Sequence, residues 1–237
     1  MIDKFKEALL LLKKHLLLFA AIILTVWLPG NILSNLFFYY NPEITVGFLQ
    51  LPMTIEAIFS PLYIGAMVYA LYQIKMDQSV SYNEAMGVGV KNWFNLFTAR
   101  LIAGILVCLG LIAFIVPGII LMVRYSMLDA AVIIENKGVH DSRKRSVELT
   151  TGKRWQIFNA AILFHFIYFL FIFFIYTPLG FFESNALILV EITIDCILDV
   201  IYAVIQIVIF LFYWEAKNER KVAEPSAAVD SVPSPQD

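Results

Sequence analysis

Six apolar runs of similar length succeed one another along this chain, over residues 16–38, 47–74, 95–116, 118–136, 156–178 and 186–213. Each is close to the roughly 20 residues a helix needs to cross about 30 Å of hydrocarbon. In that solvent every backbone N–H and C=O must be satisfied within the polypeptide, and the alternating pattern of a barrel strand is absent. The expected fold is therefore all-α, a polytopic membrane protein with six transmembrane helices. Composition agrees: 60% of the 237 residues are hydrophobic, 15% are charged and the mean hydropathy is +0.78. A soluble domain needs about a quarter charged residues to solvate its surface. The net charge of -2 lacks the basic excess that nucleic-acid binding requires, so no nucleic-acid partner is expected.

Lysine and arginine are missing from residues 15–74 and again from 155–216, each stretch long enough for a hairpin of two spans. By the positive-inside rule both termini are expected in the cytoplasm of a bacterial cell, with the chain in its inner membrane. Three outer turns follow, near Asn41, at Pro117-Gly118 and at Pro178 to Glu183, charged only at Glu43 and Glu183. The first run follows a lysine-rich start without a small-residue cleavage pattern, which makes it an anchor rather than a leader.

Three basic entries share a pattern: an amphipathic stretch, a lysine, then an apolar run ending at proline and glycine. They pass through Lys14, Lys91 and Lys153 and end at Pro29-Gly30, Pro117-Gly118 and Pro178 with Gly180. This predicts a three-fold internal repeat within a membrane domain over 1–215, each unit opening on an interfacial helix, at 1–15, 80–94 and 139–154. Phe5, Leu9 and Leu12 share one helical face, and Trp93 and Trp155 fall where amphipathic rings favour headgroups. Arg143, Lys144, Arg145, Lys153 and Arg154 form a basic cluster that fixes topology and is a candidate site for anionic lipid of the inner leaflet. Residues 216–237 turn charged and then Ala-, Pro- and Ser-rich, predicting a disordered cytoplasmic tail.

Ionisable groups inside the spans are costly and carry the functional signal. Glu191, Asp195 and Asp199 recur every four residues on one face of the last span, and Tyr202 and Gln206 continue that face. Three carboxylates so close need cations or protons to compensate them. Counting depth from the span ends pairs Arg100 with Asp129 and brings Arg124 to the level of Glu56, Glu191 and Asp195. Pro52 and Pro61 flank Glu56, predicting a kinked or broken helix there. The candidate intramembrane polar site is thus Glu56, Arg124, Glu191, Asp195 and Asp199, with Arg100 and Asp129 as a structural ion pair.

Other chemistry is not indicated. Cys108 and Cys196 sit in apolar runs outside any redox or metal spacing, and His15, His140 and His165 are scattered, so neither metal nor cofactor is expected. "GVGVK", with Gly87 and Gly89, lacks the spacing of a nucleotide-binding loop. No nucleophile and base stand at usable spacing, which argues against an enzyme.

The stretch "LGLIAFIVPGIILMVRYSMLDAAVIIENKGVHDSRKRSVELTTGKRWQIF", residues 109–158, carries Pro117-Gly118, an apolar run to Glu135, and Arg145-Ser146 followed by Leu149, Gly152 and Trp155. It resembles the bacterial multi-pass family that includes YciC and is similar to the membrane domain fused to some glycerophosphodiester phosphodiesterases. The resemblance implies a fold for most of residues 1–215 and no established activity. Two functions fit the sequence: a scaffold or accessory protein engaging lipids, partner spans or a second copy, and a carrier or channel for protons or cations built on the acidic stripe.

Overall fold

The computed structural model describes residues 1–40, 50–179 and 187–229. They form only helices: α1 (Ile2–Lys14), α2 (Leu16–Tyr40), α3 (Gln50–Lys75), α4 (Tyr82–Ala113), α5 (Ile115–Arg124), α6 (Leu128–Ile133), α7 (Val139–Leu149), α8 (Arg154–Leu179) and α9 (Leu187–Val229). Among the described residues six segments are long and apolar enough to span a bilayer: Leu16–Phe37, Glu56–Lys75, Tyr82–Ala113, Ile115–Ile133, Arg154–Pro178 and Ile188–Arg220. The expected turn near Asn41, the glutamates Glu43 and Glu183, Gly180 and residues 230–237 lie outside the described residues.

Small residues let the tightest pair, α3 and α4, approach closely. A Cβ on Gly89 would lie 2.4 Å from the Leu62 carbonyl oxygen, and one on Gly65 would lie 3.3 Å from the Gly89 Cα. Ala66, Ala70, Ala85 and Ala99 are fully buried around this contact. The glycines of "GVGVK" therefore serve helix packing.

Several boundaries differ from those read in the sequence. Residues 82–94 form no element of their own, because Ser81 caps α4 through its Oγ, 3.3 Å from the Glu84 N–H, and the helix then runs unbroken into the span. Trp93, expected at the headgroups, instead donates its ring N–H to the Ile58 carbonyl at 2.8 Å. The three basic entries thus differ, since α1 and α7 are separate short helices and the middle stretch is fused to its span. α3 passes through Pro61 as one helix rather than breaking beside Glu56.

The reversal after α4 falls at Phe114, whose backbone is extended, and not at Pro117-Gly118. Pro117 sits in the first turn of α5, where its missing N–H has no helical partner to lose. Gly118 allows α5 to lie on the end of α4, where a Cβ would come within 2.7 Å of the Leu111 backbone nitrogen. α9 continues to Val229, so the disordered tail expected from 216 is helical as far as that residue. Lys4 and Lys153 both meet Glu215 where this extension begins, and Lys153 also meets Glu219 on it at 2.8 Å.

Candidate functional site

The acidic stripe of α9 faces α2, which runs antiparallel to it. Asn31 donates to Asp199 at 2.8 Å, and Asn35 donates to Asp195 at 3.0 Å. Two pairs spaced by four residues thus lock side by side, and Tyr176 of α8 donates its hydroxyl to the second oxygen of Asp195. With Glu191, Tyr168, Ile172 and Leu198 these groups line a cavity of about 510 Å³. Two amides and one phenol thus hydrogen-bond Asp195 and Asp199, where the sequence pointed to cations or protons as the compensating groups.

Arg124 is not part of this group. Its backbone oxygen accepts the Ser146 hydroxyl at 2.8 Å, which places it beside α7, and its Nε is buried without a partner. The depth count assumed one helix over 118–136; α5 in fact ends at Arg124, and a turn over 125–127 separates it from α6. Glu56 is exposed and lies within electrostatic range of Asp199, on the α2–α9 side of the bundle.

Arg100 and Asp129 are brought together, with Nε 3.5 Å from Oδ1, and the Arg100 Nη1 also reaches Ser60 Oγ at 3.3 Å. They sit on the wall of a second cavity of about 600 Å³, enclosed by α3, α4, α5, α6, α8 and α9. Its lining is mostly aliphatic and aromatic, in the size range typical of small-molecule sites. Polar groups converge toward one part of it. Tyr202 meets His165 Nε2 at 3.2 Å, and Gln206 donates to Tyr63 at 3.1 Å while its Oε1 is buried with no partner. The lining residues Met122 on α5 and Ile162 on α8 are 56% and 54% exposed, so the mouth lies between those helices, on a surface that faces lipid. Tyr202 and Gln206 continue the polar face of the last span, and the fold brings that end of the face to His165 of a separate span, which the sequence does not single out as a partner.

The five basic residues of the expected lipid cluster are divided. Arg145 binds Glu135 at 2.8 Å and Glu148 at 3.3 Å, and Glu135 also accepts the Tyr213 hydroxyl at 3.3 Å. Burial works against the Arg145 charge, but these carboxylates prevail and hold its pKa above the usual value. Lys153 is likewise opposed by burial and raised by Glu219 and Glu215. Arg143 bonds the Val139 carbonyl at 3.3 Å, and Arg154 bonds Thr151 Oγ1 at 3.2 Å. Lys144 is exposed. Two of the strongest candidate headgroup ligands are therefore engaged in holding α6, α7, α8 and α9 together. No group of three or more His, Cys, Asp or Glu able to hold a metal ion occurs among the described residues.

Comparison with known proteins agrees with the membrane fold. A "UPF0259 membrane protein" of Serratia proteamaculans (strain 568) is 28% identical over 102 residues, which is 43% of this chain and 41% of that relative. The matched region thus spans well under half of the relative's length. No solved structure matches. The model of the uncharacterised protein family UPF0259 matches residues 48–215, from α3 through most of α9, and the chain belongs to that family.

Proposed function

We propose that this protein is a non-enzymatic accessory protein of the bacterial inner membrane that holds a membrane lipid within its helix bundle. The single observation carrying this reading is the cavity of about 600 Å³ whose apolar lining opens between α5 and α8. α8 packs mainly on α9 and α5, and its outer face exposes Phe166, Phe169, Phe173 and Phe174, so it is the loosest wall of the bundle. Along α9 the cavity extends from Tyr202 to Tyr213, about 16 Å at helical rise, close to half of the hydrocarbon thickness. An acyl chain of one leaflet matches that length.

Both termini belong in the cytoplasm on this reading. Lys4, Lys75 and Lys153 gather at one end of the bundle with Glu7, Glu215 and Glu219, as the positive-inside rule requires of the inner face. The finer kinship to the family that includes YciC, and to the phosphodiesterase membrane domain, rests on the resemblance of residues 109–158. Anionic headgroups are left to Lys144 and its exposed neighbours, and a partner protein or second copy would meet the apolar outer faces.

Filling the cavity tests the reading. Ala161→Phe on the loosely packed α8 is expected to reduce co-purifying lipid about tenfold, measured by native mass spectrometry of monodisperse protein. Unchanged lipid content in that variant would overturn it.

The carrier reading draws on a different observation, the polar cavity around Asp195 and Asp199. Under it, Asp195→Asn abolishes proton- or cation-linked flux in proteoliposomes while the protein stays folded. Full flux in that variant, or none in the wild type across a broad solute panel, rules it out.

A further inference from the structure

We infer that the α5–α8 cavity selects an uncharged lipid head bearing both a carbonyl acceptor and a hydroxyl donor, of the monoacylglycerol type. This rests on the lipid-holding reading above and specifies its ligand.

Three features of the polar wall lead to that chemistry. Arg100 is matched by Asp129 at 3.5 Å, so the wall carries no net charge to balance an anionic head. Desolvating a carboxylate or phosphate against an already neutralised arginine would leave a charge unpaid in low dielectric. The guanidinium has five N–H donors, and Asp129 and Ser60 engage it at Nε and Nη1, leaving donors for a neutral carbonyl oxygen. Gln206 has the complementary deficit: its amide N–H is taken by Tyr63, whereas Oε1 is buried and unbonded. A buried acceptor of this kind is costly unless a donor reaches it, and a ligand hydroxyl supplies one. An ester beside a free hydroxyl meets both demands on adjacent carbons. The aliphatic remainder of the cavity, including Ile64, Val68, Ile205 and Ile209, takes the single chain.

The test compares heads on one chain. Delipidated full-length protein is equilibrated with 1-oleoylglycerol, oleate or oleoyl lysophosphatidylglycerol, and retained ligand is measured by native mass spectrometry. The expected result is retention of 1-oleoylglycerol about tenfold above both anions: oleate lacks the hydroxyl, and lysophosphatidylglycerol brings a phosphate that the matched Arg100 leaves uncompensated. Gln206→Met should bring 1-oleoylglycerol down to the level of oleate. The wild-type comparison needs no variant, so misfolding of Gln206→Met would not protect the inference. Equal or stronger retention of either anion overturns the head-group assignment and leaves lipid holding intact. Retention of none of the three overturns both.

Discussion

Gly89→Ala is expected to weaken the protein sharply, although alanine is the better helix former. Its Cβ would stand 2.4 Å from the Leu62 carbonyl oxygen and 3.2 Å from the Ala66 nitrogen, both backbone atoms that cannot rotate away. α3 and α4 must then move apart, opening the contact on which Leu96, Ala99 and Ala70 are buried. Overpacking of this kind costs about 1–3 kcal/mol, and backbone neighbours put this case at the upper end. Gly87, two residues earlier on the same helix, is the control, since a Cβ there meets nothing within 4 Å. Gly87→Ala should be neutral or stabilising by about 0.5–1 kcal/mol. Thermal survival of the monodisperse peak in mild detergent reads both. If the Gly89 variant is no less stable than the Gly87 variant, the α3–α4 packing described here is wrong.

The second large effect is expected at Glu135. Its side chain is 12% exposed and joins Arg145 to the fully buried Tyr213, tying the end of α6 to α7 and α9. Glu135→Leu leaves the guanidinium, itself 23% exposed, with only the exposed Glu148 as counter-ion. Removing one partner of a buried pair costs about 3–5 kcal/mol, and the residual Glu148 contact brings the expected loss to about 2–3 kcal/mol. Replacing both members, Glu135→Leu with Arg145→Met, should recover most of it, because no charge is then left unpaired. A double variant as unstable as the single one would contradict that origin.

The hydrocarbon solvent made much of this architecture legible. A span must satisfy its backbone internally over a set length, so runs of apolar residues mark where helices cross, whatever packs on them. Contacts between helices are less exposed to such counting. Arg100 and Asp129 could be matched because depth counted along two successive apolar runs puts them at one level, even though α5 separates their helices. Arg124 was misplaced because a turn over 125–127 follows directly after it, and no glycine or proline announces that break. Asn31 and Asn35 were missed, yet their spacing of four matches Asp195 and Asp199, and polar amides inside an apolar run were a usable signal. The central cavity showed in the sequence only as separate polar residues, Tyr202 and Gln206 on the last span and the Arg100–Asp129 pair, with nothing to join them. It arises where six helices fail to fill space between them, and His165 and Gln206 acquire their meaning only from neighbours far away in the chain.

Everything depends on the chain threading a bilayer six times with both ends on the basic side. Single cysteines at Asp3, Asn41 and Lys144, in a background with Cys108 and Cys196 replaced by serine, report this directly in intact cells. An impermeant maleimide should label position 41 at once and reach positions 3 and 144 only after the membrane is permeabilised. Labelling of position 3 or 144 from outside intact cells would contradict the account.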